Sequence, residues 1–76
     1  MFLFEERELY RCTEAEAKIE FRNISGVTES LEEEDERIAE IHILNMWEEA
    51  KRNSLWVYLK GVIITEKGYR GFICYS

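Results

Sequence analysis

Residues 55–75 constrain the fold more than any other part of the chain. Leu55-Trp56-Val57-Tyr58-Leu59-Lys60-Gly61-Val62-Ile63-Ile64-Thr65 is rich in β-branched and aromatic residues, the composition of a strand. Glu66-Lys67-Gly68 supplies a turn, and Tyr69-Arg70-Gly71-Phe72-Ile73-Cys74-Tyr75 returns. The pattern predicts a β-hairpin. Gly61 is a candidate bulge within its first strand.

The middle of the chain reads as a helix. Ser30-Leu31-Glu32-Glu33 fits a helix start, with Ser30 as N-cap and Glu33 reaching back to it. Glu32, Glu33, Glu34 and Asp35 then fall in the first turn, where the helix dipole favours negative charge. Carried on to Arg52, this helix sets Ala39, Ile43, Met46, Trp47 and Ala50 on one stripe. Lys51 and Arg52 suit its C-terminus, and Asn53 suits a left-handed cap. Ile38, Ile41 and Leu44 lie off the stripe and need other cover or a partner. A rival reading makes Ala39, Ile41 and Ile43 the inner face of a strand, with a shorter helix capped by Asn45. The Glu-rich approach and Met46-Trp47-Glu48-Glu49-Ala50 favour the long helix.

The N-terminal third is less patterned. Residues 2–12 predict one or two short strands. Between 15 and 24, Ala15, Ala17, Ile19 and Phe21 alternate with Glu16, Lys18, Glu20 and Arg22, the period of a half-buried strand. Thr13-Glu14-Ala15-Glu16 is also a capping-box pattern, which leaves a short helix open. The expected architecture is α+β: a small antiparallel sheet, one central helix packed on one face, and a C-terminal hairpin. At 76 residues the chain makes a single domain, residues 1–76, with a thin stability margin.

Charge is divided unevenly. Residues 1–50 hold fifteen Asp/Glu against five Lys/Arg, a balance of −10, and residues 51–76 carry +4, for the net −6. Such a split bears on partners and association rates rather than on fold. Met1-Phe2-Leu3-Phe4 gives way at once to Glu5-Glu6-Arg7-Glu8, too short for a signal peptide or a membrane span. The expected compartment is the cytoplasm, with Cys12 and Cys74 reduced and buried as small apolar groups.

Catalytic and metal chemistry find little support. His42, Cys12 and Cys74 lack the paired spacing of zinc ligands. Cys74 sits between Ile73 and Tyr75, a packing environment rather than an electropositive one. The glycines resemble no phosphate cradle. General acid–base work needs a buried carboxyl, and the run Glu32–Glu36 reads as solvated. The expectation is a non-enzyme that needs no metal or cofactor.

Binding is better represented. Glu29, Glu32, Glu33, Glu34, Asp35 and Glu36 place six carboxylates in eight residues, enough to keep a domain soluble or to dock a basic partner. Ile38, Ile41 and Leu44 would add apolar contact beside Glu32, Glu33, Glu34, Asp35 and Glu36. The alternative is a single-stranded nucleic-acid face on the hairpin, where Trp56, Tyr58, Lys60, Lys67 and Arg70 mix aromatic and basic groups. The net charge of −6 opposes that alternative. A third reading is self-assembly into a homodimer through open sheet edges or helix faces.

In length, acidity, compactness, lack of a catalytic motif and few cysteines, the chain resembles the small early proteins of bacterial viruses that disable a host protein by binding it. The resemblance involves general character and no motif residue. It implies a stoichiometric inhibitor or adaptor rather than a catalyst.

Overall fold

The computed structural model describes residues 9–76. Six elements follow in the order β1 (Tyr10–Thr13), α1 (Glu14–Glu20), β2 (Val27–Glu29), α2 (Glu36–Arg52), β3 (Val57–Ile64) and β4 (Tyr69–Tyr75). The strands form one sheet in the order β1-β3-β4-β2. The expected hairpin is β3 and β4, paired antiparallel. β2 adds antiparallel to β4, but β1 runs parallel to β3, so the sheet is mixed.

The sheet is covered on both faces, giving three layers. On one face Cys12, Ala17, Ile63, Phe72 and Cys74 form a core under α1. On the other, Ile43, Ala50, Val57, Val62 and Ile73 form a core under α2. The two central strands therefore bury consecutive side chains, as at Val62-Ile63 and Phe72-Ile73. A strand covered on both sides reads as an unbroken apolar run rather than an alternating one.

A glycine sets how closely α2 can sit. A methyl group at Gly71 would lie 2.6 Å from Ile43 Cγ1 and 2.8 Å from the Ala39 carbonyl oxygen. Ala39, fully buried, is the small residue on the helix side of this approach. Gly61 does a similar service on the other face, where the Tyr10 backbone and the Phe72 ring leave no room for a Cβ. The expected bulge is not there but between Val57 and Leu59.

Three local expectations are corrected. The segment read as a half-buried strand begins with helix α1. Thr13 and Glu16 form the reciprocal capping box, with the Glu16 N–H donating to Thr13 Oγ1 at 3.2 Å and the Thr13 N–H to Glu16 Oε1 at 2.8 Å. The alternation was carried by alanines, which favour helix, and only Ala17 of the helix is buried. Second, α2 starts at Glu36, capped by Asp35, whose Oδ1 accepts from the Arg37 N–H at 2.9 Å. Ser30 instead follows the edge of β4: its N–H donates to the Gly71 carbonyl at 2.8 Å, and its Oγ accepts from the Gly71 N–H at 2.9 Å. Glu33 and Tyr69 exchange both backbone hydrogen bonds at 2.7 Å. Pairing with β4 satisfies more backbone groups than an earlier helix turn would.

Third, the left-handed residue after α2 is Ser54, with φ 60°, and not Asn53. The Leu55 N–H reaches the Ala50 carbonyl at 2.9 Å and the Ser54 N–H the Lys51 carbonyl at 3.0 Å, the two bonds of a Schellman cap. The helix itself is continuous, which excludes the rival strand over Ala39, Ile41 and Ile43. Of the strands expected within residues 2–12, β1 covers Tyr10–Thr13. The stretch from Phe2 to Glu8 lies outside the described residues.

Two substitutions test this packing. Gly71→Ala should lower unfolding stability by about 1–3 kcal/mol, because neither the Ile43 side chain nor the helix backbone can step back freely. Ser54→Gly should raise it by about 1 kcal/mol, by removing the cost of a left-handed side-chain-bearing residue. Urea unfolding followed by circular dichroism measures both.

Candidate protein-interaction surfaces

The acidic stretch is knitted into the fold. Glu32 accepts a hydrogen bond from the Thr65 hydroxyl at the hairpin turn. Glu33 Oε2 lies 2.8 Å from His42 Nε2, tying the loop to the side of α2. Asp35 caps α2 and pairs with Arg37 at 3.2 Å. Glu36 pairs with Arg11 of β1 at 2.6 Å, and Glu40 approaches the same guanidinium at 3.6 Å. Glu34 is exposed. Each exposed pair stabilises little by itself, but together they offset part of the negative field expected there.

Folding also mixes the two charge blocks. Arg70 of β4 donates to Glu29 of β2 at 2.9 Å and to Glu14 of α1 at 3.1 Å. One guanidinium thus spans two carboxylates on two elements, a geometry lysine cannot reproduce. Burial disfavours the Arg70 charge, yet the hydrogen bonds and charges of Glu14 and Glu29 outweigh it and raise its pKa.

The apolar candidates divide. Ile38 and Ile41 are 41% and 54% exposed on the outer side of α2. Leu44 is half-buried and lines a small recess with Leu9, Glu40, Ile43 and Lys60. Leu31, 78% exposed on the loop before α2, was not singled out from sequence. Its only signal there was an apolar residue between Ser30 and Glu32, outside any periodic pattern.

The candidate nucleic-acid residues are not brought together. Trp56 and Tyr58 are exposed at the start of β3, with ring centroids 5.8 Å apart. Lys67 is exposed in the turn beyond the other end of that strand. The strand between them, Val57–Ile64, has 8 residues, which at a rise of about 3.3 Å each separates the two groups by roughly 26 Å. Lys60 is only 2% exposed, on the α2 side of the sheet, and Arg70 is held by its two carboxylates.

A groove that periodicity could not reveal runs beside the C-terminal half of α2. Its volume is about 350 Å³. Met46, Ala50, Leu55 and Ile73 supply apolar walls, Asn45 and Glu49 come from the helix, and Asn53 caps its end. Thr28 and Tyr75 line it from the sheet, with their hydroxyls 3.3 Å apart. Finding it requires knowing that β2 lies outside β4, a pairing between segments more than forty residues apart.

The thiols and the imidazole sit in different places. Cys12 and Cys74 are free and buried in the core under α1. His42 is on α2, across the sheet. Among the described residues no three His, Cys, Asp or Glu side chains converge as metal ligands would. Burial pushes the Cys74 thiol up to about 11, with Glu20 adding to it. Burial also raises Cys12, followed by the charges of Glu16, Glu20 and Glu29.

These thiols make stability depend on pH. An unfolded cysteine ionises near 8.5, whereas folded Cys74 keeps its proton to about 11. In that interval the folded state binds more protons than the unfolded one, so stability falls as pH rises. The melting temperature should drop between pH 9 and 11, and Cys74→Ala should drop less over the same range. Equal slopes would contradict this assignment.

No family model matches the chain, and comparison with curated proteins and with solved structures finds no match either.

Proposed function

We propose that this protein acts by binding another protein, as a stoichiometric inhibitor or adaptor. The observation that carries the reading is the exposure of Ile38 and Ile41 on one side of α2. They lie three residues apart, so they share a helix side, and Leu31 is exposed on the loop leading into the same helix. Interfaces commonly place such apolar residues at the centre of a charged rim. Here the rim is acidic towards the start of α2, where Glu34 is exposed beside Asp35. A partner with a basic surface complements it, and a net charge of −6 draws such a partner in at low salt. The free, buried thiols suit a reducing compartment, and the cytoplasm is the compartment we propose.

The test compares immobilised protein with the double variant Ile38→Ser, Ile41→Ser in a bacterial lysate. A defined partner should be retained by the original chain and bound at least about tenfold more weakly by the variant, since removing two interface side chains costs over 1 kcal/mol. Glu34→Lys should slow association at low salt and have little effect at high salt. A captured set identical for both baits, or none at either salt, overturns the reading.

A further inference from the structure

The outer strand and the groove beside it share a wall. Thr28 belongs to β2 and lines the groove under α2. The register of β2 on β4 determines what its backbone offers. Tyr75 N–H donates to the Gly26 carbonyl and Ser30 N–H to the Gly71 carbonyl, both at 2.8 Å. Thr28 lies opposite Ile73 midway between those pairs. In an antiparallel ladder, hydrogen-bonded and non-hydrogen-bonded pairs alternate. Val27 and Glu29 are therefore the positions whose N–H and C=O turn away from β4. β2 is the last strand in the sheet order, so among the described residues those groups face no further strand.

We propose that this edge and groove receive an extended segment of a partner protein. The inference rests on the protein-binding reading above and adds a second point of attachment. The segment adds a strand antiparallel to β2 through the outward groups of Val27 and Glu29, the mode of β-strand addition. Strand periodicity then decides where its side chains go. The residue beside Thr28 projects to the α2 face and enters the groove, which at about 350 Å³ holds a large apolar side chain against Met46, Leu55 and Ile73. Its neighbours two residues away project to the same face. Among the described residues Glu49 is the one charged residue lining the groove, so a basic residue at one of those positions complements it. The Arg52 partner of Glu49 is an exposed i,i+3 pair that a bound cation can replace.

The probe is a capped five-residue peptide with a central leucine, a lysine two residues to each side, and threonines between. It is titrated into the ¹⁵N- and methyl-labelled full chain. Saturable shifts are expected at the Val27, Thr28 and Glu29 amides and at the Met46 and Leu55 methyls. A central serine should weaken binding at least about tenfold, the loss of a buried leucine side chain. Glu49→Lys should weaken it several-fold.

N-methylating both threonines, whose N–H groups face β2, should abolish binding; N-methylating the central leucine should not. No saturable shift, equal affinity for the serine peptide, or shifts confined to Ile38 and Ile41 would overturn the proposal. Concentration-dependent shifts at the edge without peptide would also overturn it, by identifying a second copy of the chain as the occupant. If the peptide fails while Ile38→Ser, Ile41→Ser still loses a captured partner, only the groove site falls and the protein-binding reading stands.

Discussion

The seat of α2 on β4 is the contact from which the other packing follows. Gly71 has no side chain and Ala39 has the smallest one that a helix favours, so Ile43 can lie directly on the sheet. That proximity buries Val62 and Ile73 beneath the helix. The opposite face of the same two strands is then free to hold Ile63, Phe72 and Cys74 against α1. A chain of 76 residues has little apolar surface to spare. Using both faces of two central strands is how this one obtains two cores.

The hairpin and the buried stripe of α2 were legible because their signals are local. β-branched density and a short polar turn define β3 and β4 without reference to the rest of the chain. Ala39, Ile43 and Ala50 fall on one helix side at any plausible start. What escaped the sequence depends on partners distant in the chain. Ser30 looks like an N-cap until β4 presents a backbone to pair with it. The alternation from Ala15 to Phe21 looks like a strand because alanine suits either period, and the Thr13 capping box decides the matter. Lys60 reads as a solvated cation on a hairpin, yet the second helix layer covers it. Charge type alone does not say whether a side chain is solvated, because the layer packed over it decides.

The same tertiary pairing reshapes the electrostatics. The sequence separates acidic and basic blocks, whereas the fold joins them through Arg70 with Glu14 and Glu29. Within the acidic stretch, Glu32 and Glu33 tie their loop to the hairpin turn and to α2 through Thr65 and His42. Beside the exposed Glu34, the features offered for recognition are matters of shape: Ile38 and Ile41 on the helix, and the groove beside the outer strand. Neither announces itself as a motif, because each is completed by residues from more than one part of the chain or, among the described residues, by the absence of a covering element.

The parallel pairing of β1 with β3 carries a kinetic consequence. Tyr10 aligns with Gly61 across most of the chain, whereas β3, β4 and α2 are neighbours in sequence. Closing the longer loop costs more chain entropy before any contact repays it, and non-local pairing slows folding. Contact order therefore favours assembly of the hairpin with α2 first, with β1 docking later on the exposed edge of β3.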